Sequence, residues 1–365
     1  MSERRKRSNA RLAAYSVFMT FASAVLLVVA LLSVRKDLLC GEETREVNAL
    51  LESVSADFEV LKEENTELAK ANEVLQKENN LLNETSTGAK FRQKMKSMLQ
   101  SGSSTTQVIK YFFPDELIYT DQGSFIFQQI EENLAKNGYL ASNFRQNSDG
   151  DMEYIQDDEV VSIKGIDVSK YNGNIDWEKV AADGVKFAYI RCGIRGYDSG
   201  KIVVDENFEK NVEGAKAAGI AVGTYFFSQA VNVEEAEEEA ATVLSLLQDK
   251  QIDCPIALDV EKVEGASSTP RTSSLTADEY SDIALRFCEK IKEGGYTPMI
   301  YGNIKTFLML LDMQKLEGVQ KWFAGYISDD NITPYFPYEF RIWQYASKGK
   351  VDGIEGNVDM NIAFY

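Results

Sequence analysis

Four patterns of apolar and polar positions follow one another along the chain, and each predicts a different element. Residues 12–34 run for 23 positions without a charge, more than the roughly 20 that an α-helix needs to cross the hydrocarbon core of a bilayer. Arg4, Arg5, Lys6, Arg7 and Arg11 precede this run, whereas Arg35 and Lys36 after it give way at once to Asp37, Glu42 and Glu43. The heavier basic flank stays in the cytoplasm. The pattern therefore predicts a basic cytoplasmic tail (1–11) and an uncleaved single-pass transmembrane helix (12–34) in the cell membrane, N-terminus inside. The alternative is a cleaved secretory signal, but the run is long for one and no small-x-small site follows it.

Beyond the membrane the period changes. Leu51, Val54, Phe58, Leu61, Asn65, Leu68, Asn72, Leu75, Asn79 and Leu82 alternate at spacings of three and four, a heptad seam over residues 42–85 with Asn65, Asn72 and Asn79 at a and leucine at the facing d positions. Asparagine at a favours a parallel two-stranded coil, so a homodimer is expected through this stalk. Residues 86–106 read as a linker, flexible over 101–106 (SGSSTT). Residues 107–162 contain β-like runs at 108–113, 117–119 and 125–130, a helix at 131–136 and a turn at Asn147-Ser148-Asp149-Gly150. They predict a small β-rich module, in which no chemistry is evident.

From 163 to 365, strand-like runs (GIDVS, FAYIRCG, AVGTYFF, PIALDVE, TPMIYGN, KWFAGY, RIWQYA) alternate with helical ones at 205–218, 234–249 and 277–293. Thr276 and Glu279 form a capping box for the last of these. Such alternation predicts an α/β fold with a largely parallel sheet, open or closed into a barrel, whose working residues gather at the carboxyl ends of the strands.

Composition narrows the chemistry. The 365 residues include no histidine, four cysteines, and 39 basic against 57 acidic side chains, a net charge of −18. Catalysis through histidine and histidine-ligated metal are excluded, no metal or other cofactor is expected, and nucleic acid is an improbable partner for so acidic a chain. Acid–base work falls to carboxylates, tyrosines and lysines. Cys192, Cys254 and Cys288 read as small buried hydrophobes, and Cys40, near the membrane, as a free thiol or alternatively as one that bridges the two chains or carries an acyl group. Asp259 and Glu261 lie two apart on one strand, so both face one cavity, about 6.5 Å apart along the backbone. Paired carboxylates of split pKa are what a glycosidase uses, one protonated to donate to the leaving oxygen and one ionised to support the positively charged transition state. Solvated charges at a fraying strand end are the alternative.

The motifs from Gly165-Ile166-Asp167-Val168-Ser169 through Asn174-Ile175-Asp176-Trp177, the run around Tyr225, the central Asp259-Val260-Glu261, Tyr301-Gly302-Asn303, Trp322 to Tyr326, Trp343-Gln344-Tyr345 and Val358-Asp359-Met360-Asn361 resemble, in order and spacing, glycoside hydrolase family 25, the lysozyme-like N-acetylmuramidases. The resemblance covers residues 163–365. It implies a modified (β/α) barrel and cleavage, with retention, of the β-1,4 bond between N-acetylmuramic acid and N-acetylglucosamine in peptidoglycan glycan strands. By position it implies Glu261 as the acid, Asp259 as its charged partner, and Asp167 and Asp359 as the other cavity carboxylates, with Asp167 among the catalytic groups. Tyr225 and Tyr301 would fix the acetamido group and the ring. Phe226 stands where family members often carry histidine. Further candidates for substrate binding are Arg191, which alternatively pairs with a cavity carboxylate, Trp322, which alternatively is core, Tyr326 and Gln344. Trp343 and Tyr345 stand between core and sugar stacking. A non-catalytic glycan-binding scaffold and a glycosidase for another N-acetylated polymer are the competing readings.

Overall fold

The computed structural model describes Val29 and residues 42–85, 88–248, 250–263, 265, 267–328 and 331–364, which fall into two units divided at Gly102. The expected membrane span at 12–34 lies, apart from Val29, outside these residues, and so does Cys40. Among the described residues no helix is long and apolar enough to cross a membrane.

In the first unit the heptad pattern lies on one helix of 44 residues, Glu42–Thr85, about 66 Å long at 1.5 Å per residue. Ion pairs Glu59–Lys62, Glu67–Lys70 and Glu73–Lys77 decorate its polar faces. The seam residues Leu51, Val54, Phe58, Leu61, Asn65, Asn72 and Leu75 are half-buried, and Leu68 and Asn79 are exposed. The expected linker at 86–106 is not irregular throughout, because Gly88–Gln100 forms a second helix.

The second unit, residues 103–365, is built on a closed barrel. Its eight strands are β1 (Ser162–Val168), β2 (Phe187–Arg195), β3 (Ala221–Ser228), β4 (Ile256–Val260), β5 (Pro298–Asn303), β6 (Gln320–Ala324), β7 (Ile342–Gly349) and β8 (Val358–Phe364). Neighbours from β1 to β7 pair in parallel. β8 closes the ring antiparallel to both β7 and β1, so the expected modified barrel is observed. The helices Trp177–Ala182, Phe208–Ala217, Val233–Leu246 and Ala277–Glu293 cover its outside, the last starting at the expected capping box of Thr276 and Glu279.

The period-two alternation of each strand sorts its residues between two apolar clusters. Ile166, Val168, Ala188, Ile190, Ile256, Leu258, Ile300, Phe323, Trp343 and Met360 face the outer layer. Phe187, Tyr189, Ala257, Met299, Tyr301, Trp322, Ile342 and Ala363 fill the barrel. The interior leaves no room for extra side chains: a Cβ at Gly165 would sit 2.2 Å from the Phe187 ring, and one at Gly223 2.7 Å from that of Tyr189.

Residues 103–161 depart most from expectation. Residues 108–113, read as β-like, lie largely in the helix Thr105–Phe112, because Ser104 and Gln107 form a reciprocal capping box that outweighs their β propensity. The helix expected at 131–136 is an irregular turn, since backbone pairing across to the barrel takes its place: Asn137 N donates to Pro337 O and Glu339 N to Ala135 O. The hairpin Glu116–Asp121 with Ser124–Gln129 is β as expected at 117–119 and 125–130, and a small sheet of Phe144–Gln146, Met152–Gln156 and Glu159–Val160, its strands not individually expected, turns at the expected residues 147–150. The segment is no separate module. Leu117, Leu134, Phe144, Met152 and Tyr154 are part of the barrel's outer core, and Tyr139 stacks on Phe364 at 4.1 Å.

Candidate active site

Eight of the ten candidate residues, Trp322 among them, sit at inward positions toward one end of the barrel. Asp259 is the last inward residue of β4, and Glu261 follows the strand by one residue. Asp167 stands near the end of β1 and Asp359 at the start of β8; because these strands are antiparallel the two are direct register partners, which puts both carboxylates on the same face. Tyr301 is the register partner of Asp259 across β5. Tyr225 and Gln344 point inward from β3 and β7.

This assembly is a cluster of acids taken out of water. Burial and then the charge of Asp359 push the Asp167 carboxyl well above its ordinary range, with a smaller push from Glu261. Burial, then Glu261 and then Asp167, do the same to Asp259, opposed by Arg191. Burial lifts Asp359 to about 6. One oxygen of Asp259, Oδ1, is buried without a hydrogen-bond partner, a cost of roughly 1–3 kcal/mol for a neutral group and more for a charged one. Tyr225 and Tyr301, raised first by burial, also feel Asp167 and Asp259. Such mutually raised acids in one cavity are suited to holding and passing a proton.

Two of the expected substrate contacts lie deep in the wall of the cavity. Trp322 has none of its surface exposed, and Gln344 is buried as well. Gln344 holds Asp167 directly, and Trp322 orients a second amide that does so. Gln344 Nε2 and Asn361 Nδ2 donate to Asp167 Oδ2 at 2.7 and 2.8 Å. The amides are oriented from behind, as Tyr301 Oη donates to Gln344 Oε1 at 2.9 Å and the indole Nε1 of Trp322, which can only donate, gives its proton to Asn361 Oδ1 at 2.8 Å. Arg191 lies at the site, yet its salt bridge is to Asp205, with Nη2 2.7 Å and Nε 2.9 Å from Oδ2, and not to a cavity carboxylate. Tyr326 stands on the rim, 56 % exposed, near enough to Asp359 and Asp167 for their charges to raise its hydroxyl beyond the effect of burial, to about 12. Trp343 and Tyr345 are in the outer core.

Four site residues, Asn361, Asp205, Gln229 and Thr306, were not singled out in the sequence. Asn361 was legible, being two positions beyond Asp359 and so on the same face. Asp205 and Gln229 were not, because their roles depend on tertiary contacts. Gln229 Nε2 donates to the Glu261 carbonyl at 3.1 Å, and Thr306 Oγ1 donates to the Val260 carbonyl at 2.9 Å; together they pin the backbone that presents Glu261, whose side chain is half-buried. Cys192, Cys254 and Cys288 are free, the first and last buried. Among the described residues no group of acidic, cysteine or histidine side chains is arranged to hold a metal.

The model of the family described as "Glycosyl hydrolases family 25" matches residues 166–354, just over half of the chain. The uncharacterized protein YegX of Escherichia coli K12 is 29 % identical over 212 residues, covering 55 % of this chain and 69 % of its own. The autolytic lysozyme of Clostridium acetobutylicum is 26 % identical over 200 residues, with 54 % of this chain and 55 % of that protein covered. Among solved structures, the modular autolysin LytC of Streptococcus pneumoniae, in complex with a synthetic peptidoglycan ligand, is similar at 22 % identity and a TM-score of 0.49, over 68 % of this chain and 58 % of its own. The chain thus spans little more than half the length of these last two proteins.

Proposed function

The chain belongs to glycosyl hydrolase family 25 and is a glycoside hydrolase, and from that premise we propose that it is a membrane-held muramidase cleaving the β-1,4 bond between N-acetylmuramic acid and N-acetylglucosamine. The observation that carries this reading is the convergence of Asp167, Asp259, Glu261 and Asp359 at one end of a barrel, where among the described residues no cation is bonded to any of the three deepest acids.

The geometry supports a division of labour. Asp259 and Glu261 repel each other in a desolvated cavity, so the pair keeps a proton to higher pH than an isolated carboxyl. Arg191 opposes the rise at Asp259 without reversing it. Glu261, half-buried at the lip, is placed to protonate the glycosidic oxygen, while ionised Asp259 supports positive charge at the anomeric carbon directly or through the substrate's acetamido group. Asp167, held by two amide donors, and Asp359 line the same cavity, with Tyr225 and Tyr301 beside the ring.

The anchor and the dimer are parts of the same proposal. The uncharged run at 12–34 with its basic flank supports a single-pass anchor, N-terminus inside, with the barrel outside the cell. The half-buried seam on Glu42–Thr85, with Asn65 Oδ1 buried and lacking a partner, supports pairing with a second copy, where amides at a meet across the axis. Mass analysis of fragments released from purified peptidoglycan by the detergent-solubilised chain tests the activity: new reducing ends on muramic acid are expected, and reducing ends on glucosamine, or no release, refute it. Light scattering is expected to return a dimer at micromolar concentration, and a monomer refutes the stalk.

A further inference from the structure

Residues 103–161 precede the segment matched by the family model, yet one part of them reaches the site. The hairpin Glu116–Asp121 with Ser124–Gln129 is fixed to the barrel's carboxyl-end rim: Ile118 N donates to Tyr335 Oη at 2.9 Å, and Lys305 pairs with Asp121 at 3.1 Å. Between the hairpin and the turn after β5 lies a cavity of about 600 Å³, within the ordinary size range of ligand pockets. Glu261 lines it, and Asp167, Asp259, Asp359 and Tyr225 do not. The cavity therefore opens on the Glu261 side of the acid cluster, away from β1 and β8.

Its walls have the mixed character that a sugar needs. Phe125 and Met309 are 42 and 39 % exposed, large apolar surfaces at the edge of a cavity that also presents Thr120, Lys262 and Asn303. We propose that this cavity is a subsite for the leaving-group side of an N-acetylated glycan strand, with the hairpin as its outer wall. The inference rests on the muramidase reading, in which Glu261 is the acid at the glycosidic oxygen. The sugar that departs with that oxygen then extends from Glu261 away from the ring held over Asp259 and Asp167, which is the direction of this cavity. The apolar face of that ring covers Phe125, and its hydroxyl and acetamido groups meet Thr120, Asn303 and Lys262. An aromatic anchor with a few convergent polar groups is the usual composition of such sites.

The test uses the full-length chain in detergent carrying Glu261→Gln, titrated calorimetrically with an alternating N-acetylglucosamine–N-acetylmuramic acid tetrasaccharide. Adding Phe125→Ala is expected to weaken binding about 10-fold, the typical effect of removing an aromatic anchor, and Lys262→Ala several-fold. Both positions are surface-exposed or on the rim, and unchanged melting temperatures confirm the fold. In chains that retain Glu261, Phe125→Ala is expected to lower the ratio of kcat/KM on the tetrasaccharide to that on a glycosyl fluoride, which has no leaving sugar, by a similar factor. Parent-like affinity in both variants together with an unmoved ratio overturns the subsite. Weakening seen only with peptide-bearing fragments overturns the glycan assignment in favour of the acidic peptide. If the parent chain releases no muramic acid ends from peptidoglycan, the muramidase reading falls separately, and the calorimetric comparison still decides the subsite.

Discussion

Two clusters of buried acids are built on the same barrel, and they are opposite in design. Inside, Asp167, Asp259 and Asp359 crowd together, and Asp259 Oδ1 has no partner. Outside, between the end of β2 and the helix Val233–Leu246, Glu239 is equally buried and its Oε2 also lacks a hydrogen-bond partner, but its Oε1 receives Arg195 Nε at 2.7 Å, while Glu235 is gripped by both terminal nitrogens of Arg271 at 2.6 and 2.8 Å. Arg195 also donates to the carbonyls of Gly200 and Glu235. Burial of an acid is thus no sign of function by itself. What separates the clusters is compensation: the acids of one are bonded directly to guanidinium groups and lock a helix to a strand, while those of the other are met by amides, tyrosines and one another, with Arg191 acting on Asp259 through its charge alone, and so keep their protons in play.

The largest effect is expected where the inner cluster is broken chemically. Glu261→Gln should lower turnover of peptidoglycan by roughly 10²- to 10⁴-fold, because the amide keeps the shape but cannot donate a proton. An activated aglycone such as fluoride needs little protonation, so first-step turnover of that substrate by Glu261→Gln should recover much of the loss, and by Asp259→Asn should not. Equal rescue of both would remove the distinction between acid and charge support.

The outer cluster should fail in stability instead. Arg195→Ala leaves Glu239 facing low dielectric without its cation, while Glu235 keeps Arg271, and a loss of about 3–5 kcal/mol is expected, measured by urea unfolding. A loss below about 1 kcal/mol would show that water or rearrangement supplies the missing charge. Glu239 is raised mainly by burial to about 7 even with Arg195 in place, so little margin remains there.

Asp259→Asn should act with the opposite sign. A buried acid whose pKa is raised costs stability at neutral pH, since the unfolded chain ionises it freely. Replacing it with a neutral isostere should stabilise the fold on the order of 1 kcal/mol while activity falls, the trade expected when an active site holds strain. A drop in melting temperature would place Asp259 among the compensated, structural acids.

The contrast also explains what the sequence disclosed. The inner acids were legible because alternation along a strand is a local rule: Asp259 with Glu261 and Asp359 with Asn361 each lie two apart. Trp322 is equally inward by that rule, yet whether an inward aromatic meets sugar or props an amide depends on depth, which spacing does not encode. The outer cluster was invisible, for Arg195, Glu239 and Arg271 come from three distant segments joined only by the folded chain. The helix at Thr105–Phe112 was missed although its capping box stands in Ser104 and Gln107, because the β-like run after it drew the reading.

The smallest effect tests how far the inner acids sense one another. Asp359 titrates near 6 in the folded chain, and above that pH its charge is the second cause, after burial, that holds up Asp167. Asp359→Asn removes this charge at every pH. Asp167 then ionises at lower pH, and the acidic limb of the kcat/KM profile should move to lower pH by a fraction of a unit. The stability curve gives an independent sign. A carboxyl raised in the folded state contributes stability that is whole below its unfolded pKa of about 4 and is lost as pH rises through about 6, because over that window the native state binds more protons than the unfolded one. The parent's stability should therefore carry a downward component between pH 4 and 6 that Asp359→Asn lacks. If the acidic limb and this slope both match the parent, Asp359 is electrically isolated from Asp167, and their register pairing across β8 and β1 does not couple their protons.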